Sequence, residues 1–123
     1  MKLLIIEDEA KIRSLLASYF EGHGHEVLTT ESGEEALTLI EQHKPTLILL
    51  DLSLKGKLTG KDVLKETPQR APASKVVIVT GLVEASEEEF KKLGAAGLLR
   101  KPIELEALSQ LLRQFGGEAP SPT

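Results

Sequence analysis

Three short apolar runs constrain the fold of this 123-residue chain more than any other feature. They cover residues 3–6, 47–50 and 76–79, and none of them alternates between polar and apolar residues. Such unbroken runs are typical of strands that are buried on both faces of a parallel sheet. A weaker pattern predicts an edge strand over residues 25–30, and a fifth short strand is predicted over residues 98–100.

Helical periodicity separates the predicted strands, because apolar residues spaced three or four apart follow each of them. Ser32 and Ser86 each stand three residues before a glutamate, which is the capping-box pattern of a helix start. A short helix is predicted after Gly60, and Pro68 is expected to end it. Strands that alternate with helices in this way predict an α/β fold, a three-layer, doubly wound, five-stranded parallel sheet.

The composition excludes several classes of function. The chain has no cysteine, which excludes disulfides, thiolate metal sites and a cysteine nucleophile. A net charge of −4 and an aromatic content of 3% argue against direct nucleic acid binding. No run approaches the roughly 18 apolar residues that span a bilayer, and acids at positions 7–9 interrupt any signal-peptide core. We therefore expect a soluble, cytoplasmic chain with no membrane contact.

Polar residues follow the predicted strands at one edge of the sheet. Glu7 and Asp8 follow the first apolar run, Asp51 follows the second, Thr80 ends the third, and Lys101 follows the fifth predicted strand. Ligands of open parallel sheets bind at the carboxyl ends of the strands, close to the point where the strand order reverses. These five side chains are therefore the candidate functional residues.

Three carboxylates in one cleft repel each other, at a cost of about 4 kcal/mol for each pair at ~4 Å and an effective dielectric constant of ~20. Either one carboxyl group takes up a proton or a cation lies among them. Carboxylates with few other dedicated ligands suit Mg²⁺ best. Lys101 and Thr80 add an ammonium and a hydroxyl group, so the whole set matches what a phosphoryl group requires.

These residues carry a resemblance to a known family. The chain resembles the receiver domain of two-component response regulators through the segments LLIIEDE (3–9), LILLDLSL (47–54), VVIVTG (76–81) and GAAGLLRKP (94–102). The resemblance implies a flavodoxin-like sheet with strand order 2-1-3-4-5. It also implies a receiver domain over residues 1–117, and the remaining Pro/Ser-rich residues 118–123 are expected to form a flexible C-terminal tail.

The resemblance assigns a role to each candidate residue. Asp51 would be the phosphoacceptor, taking a phosphoryl group from a sensor histidine kinase or a phosphotransfer protein. Mg²⁺ would be held by Glu7, Asp8, Asp51 and the backbone carbonyl of Ser53. Lys101 would pair with the phosphoryl oxygens. The domain would promote its own phosphorylation and dephosphorylation, rather than act as an enzyme on a diffusible substrate.

The resemblance also implies a conformational switch. Thr80 would move to bond the phosphoryl group, and the peptide bond before Pro102 would be cis. Leu98 stands where the family usually has Tyr or Phe, so the usual aromatic coupling is not expected. The movement would reshape the surface of the fourth helix, fifth strand and fifth helix, where a downstream protein target would dock on a monomer or weak dimer.

Other interpretations stay open from the residues alone. Taken singly, Glu7 and Asp8 also suit a helix start, and Asp51 also suits a turn. Two alternatives are a receiver-fold interaction module that phosphorylation does not control, and the receiver fragment of a larger regulator with an effector domain. An aspartate-nucleophile phosphatase is less favoured, because Ser53 stands where such enzymes usually have a second acid. DNA binding has little support, because no helix-turn-helix segment follows.

Overall fold

Five strands alternate with five helices in the computed structural model, which describes residues 1–54 and 56–116. The strands are β1 (Lys2–Ile6), β2 (Glu26–Thr30), β3 (Leu47–Asp51), β4 (Lys75–Thr80) and β5 (Gly97–Arg100). The helices are α1 (Ala10–Gly22), α2 (Gly33–His43), α3 (Gly60–Arg70), α4 (Glu87–Lys92) and α5 (Leu105–Phe115). The tail predicted at residues 118–123 lies outside the described residues.

All strand pairs of the sheet are parallel, and the strand order is β2-β1-β3-β4-β5. This order confirms the predicted doubly wound fold with strand order 2-1-3-4-5. The direction of strand progression reverses between β1 and β3, which are neighbours with Ile6 beside Leu50. Their carboxyl ends therefore meet at the topological switch point, where ligands bind in sheets of this kind.

The core consists of two apolar layers, one on each face of the sheet. Ile48 and Leu50 of β3 pack on the side covered by α2, α3 and α4. Leu47 and Leu49 of the same strand pack on the side covered by α1 and α5. Because successive strand residues point to opposite faces, a strand covered on both sides buries all of its residues. This double burial explains the unbroken apolar runs of the sequence.

The predicted end of α3 at Pro68 is wrong, because the helix continues to Arg70. Proline lacks an amide hydrogen, but packing against α2 stabilises the last turn. Arg70 Nη1 donates a hydrogen bond of 2.8 Å to Glu41 Oε2 of α2, and the buried Thr67 hydroxyl donates to the carbonyl of Val63 at 2.8 Å. These contacts outweigh the tendency of Pro68 to end the helix.

The helix starts follow from hydrogen bonds of short polar side chains. The Ser32 and Ser86 hydroxyls each accept the backbone N–H three residues on, which is the serine half of the predicted capping box. The reciprocal capping box is formed at Thr59 and Asp62, which the sequence pattern did not single out. Among the described residues, no helix is both long and apolar enough to cross a bilayer.

Candidate functional site

Three acidic side chains meet at the carboxyl ends of β1 and β3. Glu7 and Asp8 directly follow β1, and Asp51 is the last residue of β3. One carboxylate oxygen from each of the three residues lies within 4.8 Å of the other two. Glu7 and Asp51 are each only 1% exposed, and Asp8 is half-buried. The fold thus brings together acids that are more than 40 residues apart in the chain.

The backbone around Glu7 is held by three hydrogen bonds. The amide of Glu7 donates to the carbonyl of Thr30 at the end of β2, at 3.0 Å. Arg13 Nη1 of α1 donates to the carbonyl of Glu7 at 2.8 Å, and the amide of Glu9 donates to Glu7 Oε2 at 3.2 Å. Sequence reasoning missed Arg13, because no motif marks an arginine that folds back from a helix onto a strand end.

Lys101 lies between the two buried acids. Its Nζ atom is 2.9 Å from Glu7 Oε1 and 3.6 Å from Asp51 Oδ2, and its side chain is 21% exposed. Its backbone amide donates to the carbonyl of Thr80 at 2.8 Å, which fixes the loop after β5 against β4. The peptide bond between Lys101 and Pro102 is cis, as the resemblance implied.

Two carboxylate oxygens of the site lack a hydrogen-bond partner. Within the described residues, Glu7 Oε1 and Asp51 Oδ2 are buried oxygens of this kind. The ammonium of Lys101 is close to both, but as an ion pair rather than with hydrogen-bond geometry. Asp51 Oδ1, by contrast, accepts the amide of Ser53 at 3.0 Å. Buried and unpaired carboxylate oxygens are costly, and they are the ligands that a hard divalent cation prefers.

The protonation of Glu7 follows from this crowding. Burial and, after it, the neighbouring carboxylate of Asp51 raise its pKa from 4.5 to about 7, although Lys101 and the amide of Glu9 lower it. Burial lowers the pKa of Lys101, but the close contact with Glu7 and the charge of Asp51 outweigh burial and leave the pKa above its usual value. Without a metal ion, Glu7 therefore takes up a proton near neutral pH, which is one of the two solutions that the sequence left open.

The site borders an open cavity of about 310 Å³, which Asp8 and Asp51 line and the buried Glu7 does not. Its walls are formed by side chains at the ends of β1, β3 and β5, namely Asp8, Glu9, Asp51, Ser53 and Lys101. Glu9, which sequence reasoning did not include, is exposed at the rim. A small anionic group that enters this cavity meets one ammonium and the acidic cluster, so it requires a compensating cation.

Thr80 lies at the buried end of β4, but its hydroxyl is engaged elsewhere. Thr80 Oγ1 accepts the amide of Leu82 at 3.0 Å, closing a turn within the loop that follows β4. Thr80 is absent from the walls of the acidic cavity. It lines a neighbouring cavity of about 280 Å³ together with Gly81, Val83, Arg100 and Lys101. Lys101 is the residue that both cavities share.

Comparison with known proteins decides the family of this site and fold. A family model described as the response regulator receiver domain matches residues 3–113. The chain belongs to this family. Receiver domains are signalling modules rather than enzymes of the usual kind.

Curated relatives of this receiver domain include regulators of different lengths. The alkaline phosphatase synthesis transcriptional regulatory protein PhoP of Bacillus subtilis is 37% identical over 98% of this chain, which spans 52% of that protein. Sporulation initiation phosphotransferase F, also from Bacillus subtilis, is 29% identical and covers 93% of this chain, which in turn spans 92% of its length. The chain thus spans about half of one relative and nearly all of the other.

Solved receiver structures have the same fold. The BeF₃-activated N-terminal receiver domain of Klebsiella pneumoniae RstA gives a TM-score of 0.83 at 26% identity, covering 94% of this chain and 97% of that one. A CheY-like receiver domain protein from Methanospirillum hungatei gives 0.79 at 27% identity, covering 96% and 98%. These matches confirm the predicted flavodoxin-like fold class.

Leu98 occupies β5 of the receiver domain as an aliphatic residue. It pairs with Ile78 of β4 and packs against the core layer beneath α2, α3 and α4. It also lines a cavity of about 210 Å³ between α4, β5 and α5. A leucine side chain has no polar atom, so side-chain hydrogen bonds from β5 to the loop after β4 have to come from another residue.

The loop between β3 and α3 of the receiver domain depends on two residues that sequence reasoning passed over or left without a role. Glu34 of α2 accepts the amides of Lys57 and Leu58, each at 3.2 Å, and thereby ties this loop to α2. Gly60 begins α3 where the backbone of β3 passes very close. A Cβ atom there would lie 2.8 Å from the carbonyl oxygen of Asp51 and 2.8 Å from the Cα of Leu52.

Gly60→Ala is therefore expected to destabilise the domain by about 1–3 kcal/mol, because backbone atoms rather than a flexible side chain have to move. The control is Gly22→Ala, at the end of α1, where an added Cβ meets nothing within 4 Å. Urea denaturation of both variants measures the difference. Equal stability of the two variants would contradict the close approach at Gly60.

Proposed function

We propose that this receiver domain accepts a phosphoryl group on Asp51 from a sensor histidine kinase or a phosphotransfer protein. The reaction depends on Mg²⁺, takes place in the cytoplasm and switches a protein–protein interaction surface. The observation that carries the proposal is the pair of unpartnered buried oxygens, Glu7 Oε1 and Asp51 Oδ2, beside Lys101, next to an open cavity that Asp51 and Lys101 line.

The chemistry of the transfer needs position and charge more than a protein base. A carboxylate oxygen of Asp51 forms the new bond to phosphorus, while the bond from phosphorus to the donor breaks and the donor leaves with the electron pair. Oδ2 is the oxygen suited to attack, since Oδ1 already accepts the amide of Ser53. Lys101, 3.6 Å from Oδ2, is placed to pair with the phosphoryl oxygens.

Mg²⁺ fits the donor set of this site. Glu7, Asp8 and Asp51 supply carboxylate oxygens within 4.8 Å of one another, and the backbone carbonyl of Ser53 at the cavity wall is the proposed fourth ligand. When bound, the ion neutralises charge on the carboxylates and on the phosphoryl oxygens. Glu7 would have to release its proton for this, and the cation would then compensate the acidic charge in place of that proton.

The proposed output is a change of surface on a monomer or weak dimer. Thr80 leaves the amide of Leu82 to bond the phosphoryl group, and the loop that follows β4 moves with it. The surface formed by α4, β5 and α5 then binds a downstream protein target, or the phosphoryl group passes to another protein of a phosphorelay. Leu98 transmits this change through packing alone, because it has no ring to reorient or hydroxyl to bond.

Labelling with acetyl phosphate tests the proposal on the full chain. We expect intact-mass spectrometry to show the addition of one phosphoryl group with Mg²⁺ and none with EDTA. Borohydride reduction of the acyl phosphate, followed by peptide mapping, is expected to place the label on Asp51. Absence of a label in the presence of Mg²⁺, or a label on another residue, would contradict the proposal.

A further inference from the structure

Arg100 is the last residue of β5 and stands directly beside Thr80 of β4 in the parallel register. Side chains alternate along a strand, so Arg100 lies on the same face of β5 as Leu98, the face covered by α4. Its guanidinium group reaches over the loop between β4 and α4. Nη1 donates to the carbonyl of Leu82 at 2.9 Å, and Nη2 donates to the carbonyl of Ala85.

Leu82 is thus held at both ends of its backbone. Its amide donates to Thr80 Oγ1 at 3.0 Å, and its carbonyl accepts from Arg100. The side chain of Leu82 is 42% exposed, so packing contributes little to its position. The two hydrogen bonds hold the peptide units before and after the Cα of Leu82, so a displacement of the Leu82 backbone strains both.

We propose that Arg100 is a positioning residue that keeps the hydroxyl of Thr80 bound to Leu82 and away from Asp51. It does so by clamping the loop that carries Leu82. The proposal rests on the proposed function. The conformation that Arg100 disfavours is the one in which Thr80 bonds a phosphoryl group on Asp51. Arg100 therefore sets the fraction of molecules that are ready to receive that group.

The chemistry of arginine suits this role. The guanidinium is charged at all physiological pH values, and its planar fork can bind two carbonyls at once. Hydrogen bonds from a charged donor are stronger than those between neutral groups. Loss of one such bond is enough to change a two-state equilibrium by about tenfold. Leu98 cannot replace this contact, since it has no donor.

Beryllofluoride, a mimic of the phosphoryl group, tests the clamp in the Mg²⁺-loaded full chain. Arg100→Met keeps the aliphatic stem and removes the donors, so we expect about tenfold tighter beryllofluoride binding by calorimetry. Arg100→Lys keeps the positive charge on a single donor nitrogen but loses the planar fork, so it is expected to lie between wild type and Arg100→Met. The control is Arg113→Met on α5, which removes an arginine whose bonds are to Ser109 and Glu106 and is expected to change nothing.

The same measurement in a Thr80→Val variant separates a positioning effect of Arg100 on Thr80 from a general effect on folding. In Thr80→Val, which keeps the shape and removes the hydroxyl, Arg100→Met is expected to have no further effect on beryllofluoride affinity. An unchanged or weaker affinity of Arg100→Met in the wild-type background would overturn the proposal. The same tightening in both backgrounds would also overturn it, because Arg100 would then not act through Thr80.

Amide hydrogen exchange tests the clamp without any phosphoryl group or metal ion. We expect Arg100→Met to accelerate exchange at the amide of Leu82 about tenfold. The amide of Lys101, which donates to the carbonyl of Thr80, is expected to keep its rate. If wild type does not bind beryllofluoride, the proposed function fails and exchange alone decides on the clamp. Unchanged exchange at Leu82 would refute the clamp in either case.

Discussion

Asp51→Asn is expected to abolish labelling by acetyl phosphate and to make the metal-free protein more stable than wild type. An amide is not a nucleophile for phosphorus, so the transfer has no acceptor. The same substitution removes a buried carboxylate oxygen that has no hydrogen-bond partner. It leaves the ion pair of Lys101 with Glu7, at 2.9 Å, in place. We expect a gain of about 1 kcal/mol or more above pH 7.

The matched control for Asp51→Asn is Glu9→Gln. Glu9 lines the same cavity at its exposed rim, so its substitution removes one negative charge from the cavity but keeps the acceptor. Labelling is expected to persist in Glu9→Gln and to vanish in Asp51→Asn, as measured by intact mass. Urea denaturation with EDTA measures stability. Full labelling of Asp51→Asn would refute Asp51 as acceptor, and a destabilised Asp51→Asn would mean that its carboxylate is structurally required.

The meeting of Glu7 and Asp51 is predictable from the sequence because it depends only on strands. Each residue follows an unbroken apolar run, and β1 and β3 are neighbours in parallel register. The positions of strand ends in such a sheet leave little freedom for the residues that come next. The acidic cluster is therefore a property of topology, and the topology follows from the alternation of strands and helices.

The hydrogen bond that the Thr80 hydroxyl accepts is not predictable in the same way, because it depends on the conformation of a loop. The bond from Leu82 and the clamp by Arg100 are set by how six loop residues between β4 and α4 close. Residue types in a single sequence do not fix that path. The requirement for glycine at position 60 is also not predictable from residue types. It comes from the close backbone of β3, whose last residue lies nine positions earlier in the chain. Packing likewise overrides Pro68 in the last turn of α3.

Charge compensation at the site was only partly predictable. The sequence indicated that three acids require a proton or a cation, and it placed Lys101 at the same edge. The structure adds that Lys101 lies 2.9 Å from Glu7 and 3.6 Å from Asp51, closer to the buried acid of β1 than to the proposed acceptor. Such a preference depends on side-chain conformations and on burial, which only coordinates supply.

Lys101→Met is expected to destabilise the metal-free protein in a pH-dependent manner. In wild type, the pKa of Glu7 is about 7 in the folded state against 4.5 for the free side chain. Between these values the folded protein holds a proton that the unfolded chain releases. Stability therefore falls as the pH rises through this interval, by up to about 3 kcal/mol, and is constant above it.

Removal of the Lys101 ammonium extends this pH-dependent loss of stability to higher pH. Lys101 lowers the pKa of Glu7, so the methionine variant raises that pKa above about 7 and shifts the upper end of the interval. Near pH 5 Glu7 is protonated in both proteins, so their stabilities are expected to be similar. At pH 8.5 the folded variant still holds the proton that wild type has released near pH 7, so we expect a deficit of up to about 2 kcal/mol.

Urea denaturation at pH 5, 7 and 8.5 with EDTA measures this deficit. The control is Lys92→Met, which removes an exposed lysine that is 3.8 Å from Glu88, and its stability curve is expected to run parallel to that of wild type. If Mg²⁺ binds the same acids, it replaces the missing ammonium and recovers part of the lost stability at pH 8.5. A Lys101→Met curve parallel to that of wild type would mean that this ammonium does not control the proton on Glu7, and that solvent rather than Lys101 compensates the buried acids.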